Sequence, residues 1–176
     1  MSIEPILINN LNFANNQSIS DGRLNVVNME RLKEWVQALP AFAGVNDDLG
    51  FVDYHLQGVL SDTGLPQIMM ALDVNMRLTC QRCLDAFDFK LKLNYSYLIT
   101  ALTEEAILMS EVNEQDDVDL LTVDKSMDVI ALIEDEVIAA LPFSPTHPQD
   151  CAPSKIESGH KPSPFEGLKD LIKKTN

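Results

Sequence analysis

Two runs of strict alternation constrain this chain most. Ile68, Met70, Leu72, Val74, Met76 and Leu78 take every second position against Asp73, Asn75, Arg77 and Thr79. Phe87, Phe89, Leu91, Leu93, Tyr95 and Tyr97 repeat the pattern against Asp88, Lys90, Lys92, Asn94 and Ser96. A period of two fits a strand with one dry and one wet face, whereas the apolar stripe of a helix returns every three or four positions. The runs are joined through Cys80-Gln81-Arg82-Cys83, a connection short enough to send the second strand back antiparallel to the first. Upstream, Val52, Tyr54, Leu56 and Leu60 alternate with Asp53, His55 and Gln57, and Ser61-Asp62-Thr63-Gly64 supplies a turn. The three runs predict an antiparallel meander.

Helical spacing is found on both sides of it. Leu32, Trp35, Val36 and Leu39 recur at i, i+3, i+4 and i+7 behind Asn28 as N-cap, and Pro40 ends a helix near 29–39. A second helix near 128–141 carries Ile130, Ile133, Val137, Ile138 and Leu141, with Ser126 or Asp128 as cap and Pro142 as stop. Ahead of the first helix, Ile6-Leu7-Ile8 and Leu24 to Val27 read as two short strands or an extended arm separated by Asn-rich turn material. Between 104 and 136 twelve acids face a single base, Lys125. The first part of that stretch reads as a mobile acidic loop. Beyond Phe143 four prolines break up a polar segment, and Ser163-Pro164-Phe165-Glu166 forms a capping box opening an amphipathic C-terminal helix with Leu168, Leu171 and Ile172 on one face. The expectation is an α+β protein, with an antiparallel sheet and packed helices in a single domain over 1–142. A Pro-rich connector and the C-terminal helix then occupy 143–176.

Charge and cysteine count narrow the function. The 27 acids and 13 bases give a net charge of −14, so the overall field repels nucleic acid and any contact with RNA must be local. The first residues, Met1-Ser2-Ile3-Glu4-Pro5, lack the basic and apolar regions of a signal peptide, and no stretch approaches the ~20 apolar residues of a membrane span. Three cysteines, an odd count, suit a reducing compartment. A cytoplasmic protein without a membrane partner is expected.

Cys80-x-x-Cys83 is the most chemical feature. Two thiolates three positions apart in a tight turn can share one metal ion at ~2.3 Å, and tetrahedral zinc asks for two more ligands. His147-x-x-x-Cys151 is the natural second half. The alternatives are reduced thiols in a turn and a connector, or a zinc-dependent or thiol redox enzyme using Cys80 and Cys83. Redox cysteines usually open a helix, which lowers their pKa, whereas these join two strands.

Glu134, Asp135 and Glu136 could serve as paired catalytic carboxylates, but successive helix residues point about 100° apart. A solvated face, or a contact for a basic partner, is the better reading. His55 reads as a surface histidine, and Met70 and Met76 as core. Arg77, Lys90 and Lys92 share the wet face of the hairpin, and Gln81 and Arg82 sit at its tip; together they could grip RNA phosphates. The alternative is a wet sheet face whose charges keep it soluble. No phosphate-cradling glycine loop, metalloprotease helix or nucleophile elbow occurs, so no catalysis and no small-molecule substrate are expected.

Four segments in order resemble the YceD-type large ribosomal RNA subunit accumulation proteins. They are Leu78-Thr79-Cys80-Gln81-Arg82-Cys83-Leu84 before an alternating strand, Ile133 to Pro142 with its Glu-Asp-Glu run, Pro145-x-His147 with Cys151, and Lys161-Pro162-Ser163-Pro164-Phe165 with its basic tail. The resemblance covers about residues 70 to 174. It implies a non-catalytic factor needed for synthesis, processing or stability of 23S ribosomal RNA. Two mechanisms suit that role: the hairpin binds the RNA or its precursor, or the acidic surface holds a basic large-subunit ribosomal protein. Similar proteins carry more cysteines in the connector, where this chain has His147 and Cys151.

Overall fold

The alternating runs become the centre of a five-stranded sheet. A computed structural model describes residues 4–37, 49–101, 119–148 and 151. In chain order the elements are β1 (Leu7–Ile8), α1 (Asn10–Asn15), β2 (Ile19–Asn25), α2 (Glu30–Gln37), β3 (Gly50–Leu60), β4 (Pro66–Thr79), β5 (Ala86–Thr100), β6 (Asp119–Thr122), β7 (Met127–Asp128) and α3 (Val129–Ala140). The large sheet runs β2-β3-β4-β5-β6, and β1 pairs with β7 in a separate antiparallel ribbon. Among the described residues the fold is α+β, with two open sheets and three helices. The expected C-terminal helix, the end of the helix near 29–39 and most of the acidic loop lie outside the described residues.

Register explains why the hairpin is so regular. Gln67 opposes Leu98 and Thr79 opposes Ala86, so the apolar members of both strands share one face along the whole pairing. Leu56, Ile68, Met70, Val74 and Leu78 are buried there with Leu32, Val36, Ile133 and Val137 of the helices in one core. Burying a side chain of this size is worth ~1.5 to 3 kcal/mol, and this shared core holds α2 and α3 to the sheet. Leu60, expected among the buried set, is largely exposed because it is the last residue of β3, beside the turn.

The meander of the three runs is observed, since β3, β4 and β5 pair antiparallel in sequence order. The sheet extends beyond it and is mixed as a whole, because Asp119–Thr122 pairs parallel to β5, with Leu120 beside Leu98. One expectation is corrected. The Asn-rich turn material contains a helix. Asn9 caps it by accepting from the Asn12 N–H at 2.9 Å, and the wholly buried Asn10 anchors it. Asn10 donates from Nδ2 to the Thr122 carbonyl at 2.8 Å and accepts at Oδ1 from the Asp124 N–H at 2.9 Å. Its backbone N–H donates to the Asp124 carbonyl at 3.0 Å. Gly58 makes room for this helix: a Cβ there would stand 2.3 Å from the Phe13 carbonyl oxygen. Asp128 caps α3, accepting from the N–H groups of Ile130 and Ala131.

Candidate functional site

The β4–β5 connection is a tight knuckle. The Leu84 N–H donates to the Cys80 carbonyl at 2.9 Å and the Cys80 N–H to that of Asp85 at 2.9 Å, while Leu84 takes a positive φ of 65° to close the turn. The fold then brings the connector back against it. The Gln81 N–H donates to the Pro145 carbonyl at 2.8 Å, and the His147 ring lies 4.9 Å from that of Phe87, centroid to centroid.

That return assembles three thiols and an imidazole. The Sγ atoms of Cys80, Cys83 and Cys151 and a ring nitrogen of His147 all lie within 4.8 Å of one another. Cys80 Sγ is 3.6 Å from Cys151 Sγ, and Cys83 Sγ is 3.4 Å from His147 Nδ1. A tetrahedron with Zn–S of ~2.3 Å and Zn–N of ~2.0 to 2.1 Å has S···S edges of about 3.8 Å and S···N edges of about 3.6 Å. These two pairs already have nearly the spacing that such an ion requires. Soft thiolate and imidazole donors select zinc over the hard cations that prefer oxygen.

The surroundings act differently on the two knuckle thiols. The Arg82 N–H donates to Cys80 Sγ at 3.4 Å. Burial pushes the Cys80 thiol up, but the backbone N–H groups of Cys83, Arg82 and His147, helped by the Cys151 side chain, outweigh it and bring the pKa down to about 5. At Cys83 the Asp85 N–H favours the thiolate, yet burial and the neighbouring sulfurs of Cys80 and Cys151 leave it raised to about 11. A cation in the midst of the cluster would favour ionising all three thiols.

The other sequence candidates lie outside this cluster. Arg77, Lys90 and Lys92 all stand exposed on the outer face of the hairpin, as their alternation requires, and Arg82 is exposed at the knuckle. Lys92 pairs with Asp73 at 2.9 Å. Gln81 is half-buried and its amide donates to the Thr79 carbonyl at 3.4 Å, so it braces the turn instead of standing free at the tip.

The acidic run does not form a common surface. Glu134 is only 6% exposed, and its Oε1 accepts from the N–H groups of Arg31 at 3.1 Å and Leu32 at 3.2 Å, satisfying the first turn of α2. A solvated or partner-facing Glu134 is thereby corrected: α2 packs over α3 and covers it. Asp135 forms an ion pair with Arg31. Glu136 stands near Tyr95 and Tyr97, whose rings stack 6.1 Å apart. Burial first, and then the Glu136 carboxylate, pushes the Tyr95 hydroxyl up to about 12.

Sequence reasoning missed Phe51, an aromatic on the polar face of β3 with the Arg23 guanidinium 3.9 Å above its ring. The available signal was an apolar residue at an odd position, next to the polar odd positions Asp53, His55 and Gln57.

No solved structure matches the chain, and among the described residues no helix is long and apolar enough to cross a membrane. The family profile described as "Large ribosomal RNA subunit accumulation protein YceD" matches residues 68–172, from β4 through the knuckle, α3, the connector and the segment beyond it. That span is well over half of the sequence and contains all four residues of the cluster, and the family's name assigns it a role in accumulation of large-subunit ribosomal RNA. This chain belongs to the YceD family of large ribosomal RNA subunit accumulation proteins.

Proposed function

We propose that the protein is a non-catalytic, cytoplasmic factor in large-subunit assembly that holds 23S ribosomal RNA or its precursor on the outer face of the β4–β5 hairpin. The observation that carries this reading is the alignment of Arg77, Lys90 and Lys92 on one exposed face, continued by Arg82 at the knuckle, in a chain of net charge −14. A local cationic strip on an acidic protein gives phosphate contacts while the overall field keeps binding weak and reversible. Zinc, held by Cys80, Cys83, Cys151 and His147, would staple residues 143–148 and Cys151 to the knuckle and so fix the backbone that carries Arg82. Four protein donors fill a tetrahedral shell and leave no open position for a substrate, which favours a structural over a catalytic metal. The division of the chain at residue 142 belongs to this proposal, with the stapled connector leading out of the α+β domain.

Glu134 and Asp135 make contacts within the fold, which weighs against a helix-borne acidic cradle for a basic ribosomal protein. The experiment is crosslinking in growing cells of the wild type and an Arg82/Lys90/Lys92 charge-removal variant, identifying both RNA and protein adducts. Large-subunit RNA adducts lost in the variant support the reading. Adducts confined to a basic ribosomal protein and unchanged in the variant overturn it.

A further inference from the structure

The outer face of the sheet is not uniform. Between the first residues of β3, the end of β4 and the start of β5 lies an open depression of about 340 Å³, lined among others by Gly50, Phe51, Asn75, Arg77, Asp88 and Lys90. It is at the low end of the ~300 to 1,000 Å³ typical of small-molecule sites, with room for one nucleotide unit and none for a duplex. At its floor Gly50 has a φ of +102°, and a Cβ there would meet the Asn75 carbonyl oxygen at 2.1 Å, so bare backbone is required.

Three features of this depression have the chemistry of single-strand recognition. Phe51 offers an aromatic ring held in place before any ligand arrives: Arg23 lies over it, and that guanidinium is fixed by a two-pronged pair with Asp53 at 2.6 and 2.8 Å. Asn75 donates one amide hydrogen to Asp73 at 3.3 Å, which leaves its Oδ1 and second hydrogen for a base edge. Arg77 and Lys90 are exposed, and among the described residues no carboxylate lies within ion-pair distance of either, whereas Arg23 and Lys92 are both paired. The nearest acid in the lining, Asp88, can accept from a ribose hydroxyl.

A second depression beside it, with Asp53, Asp73, His55, Asn94 and an already paired Lys92, presents two carboxylates and has no such preference.

We infer that the depression seats one unstacked nucleotide of single-stranded RNA, its base on Phe51 and against Asn75 and its flanking phosphates on Arg77 and Lys90. This rests on the RNA reading of the hairpin and specifies what part of the RNA is read. Aromatic stacking tolerates every base, so the site selects for single strands rather than for sequence.

The test uses the full chain and a fluorescein-labelled single-stranded RNA of roughly twelve nucleotides, free and annealed to its complement, with anisotropy read across a salt series. The single strand should bind more tightly than the duplex. Phe51→Leu should weaken binding about fivefold or more with the salt slope unchanged, and Phe51→Tyr should restore it. Lys90→Gln should weaken binding and reduce the slope by about 0.7, the value for one phosphate contact on a single strand. Asn94→Ala, in the neighbouring depression, should change nothing. Equal affinity for both RNA forms, or wild-type binding by a folded Phe51→Leu protein, overturns the nucleotide seat while leaving the cationic strip standing. Failure of the wild type to bind either RNA overturns the RNA reading with it.

Discussion

Cys80, Cys83, His147 and Cys151 come from segments more than sixty residues apart and converge on one point, whereas Glu134, Asp135 and Glu136 are consecutive and serve three separate tasks. The difference is geometric. A helix turns each successive side chain by about 100°, so adjacent acids on α3 cap α2, pair with Arg31 and face the tyrosines. A tight knuckle does the opposite, folding Cys80 and Cys83 toward one side and leaving the other side of the site to whatever segment the fold returns. Closeness in sequence is therefore a poor guide to a shared site on a helix and a good one in a turn.

The largest effect should follow from dismantling the converging set. Purified under reducing conditions, the protein should hold about one zinc per chain, as four protein donors require. Cys83→Ser and His147→Ala should each lower zinc content sharply, and chelation should expose the segment around 143–148 to proteolysis while the β-sheet circular dichroism persists. Metal analysis with limited proteolysis checks this. Full zinc retention in both variants would mean that the cluster is a set of packed thiols.

Next comes the buried member of the dispersed set. Glu134→Ala leaves two N–H groups at the start of α2 without their acceptor and should cost about 1 to 3 kcal/mol in urea denaturation. Glu134→Gln keeps an acceptor oxygen and should recover part of that loss. An equal loss in both would show that charge rather than hydrogen bonding matters there.

What could be read in advance follows the same division between local and returning structure. The hairpin was legible because alternation with a common register is a local property of Ile68–Leu78 and Phe87–Tyr97. The four residues of the cluster were legible as residue types, but only the return of the connector, fixed by Pro145 on Gln81, joins the two halves. The helix at Asn10–Asn15 was not legible, because its six residues depend on a side-chain cap and on Asn10 reaching Thr122 and Asp124 across the chain. The strand Asp119–Thr122 was hidden for a related reason: four residues at the end of an acidic run show no period, and parallel pairing with β5 is a long-range event. Phe51 showed itself in sequence only as a break in alternation, and Arg23 above it gives that break a meaning.

A smaller effect is expected at the tyrosines. Burial and Glu136 hold the Tyr95 hydroxyl at about 12 and push that of Tyr97 up as well. The unfolded chain ionises its tyrosines near pH ~10. Stability associated with these groups is therefore complete below pH ~10 and declines as the pH rises through the folded-state values. Glu136→Gln removes the second cause and leaves burial, so it should lower the Tyr95 pKa only part of the way, as tyrosinate absorbance in an alkaline titration would report. No change would place Glu136 outside the influence of the ring pair.

The smallest effect belongs to Asp135. It and Arg31 are joined in an ion pair whose side chains are 55% and 54% exposed, and each has water as a ready substitute for the other. Such pairs contribute ~0.2 to 1 kcal/mol, less where salt screens them, because the long Arg side chain loses freedom in forming them. Asp135→Asn should thus shift the urea midpoint slightly at low salt and not measurably at high salt. The double variant with Arg31→Gln should show a coupling of the same small size. The contrast with Glu134, one residue away, is the point of the measurement: if the acids act separately, the Asp135→Asn and Glu134→Ala losses differ severalfold and add. A strong coupling between these two variants would mean that α2 and α3 are held by the acids as a unit, and that the run converges after all on the N-terminus of α2.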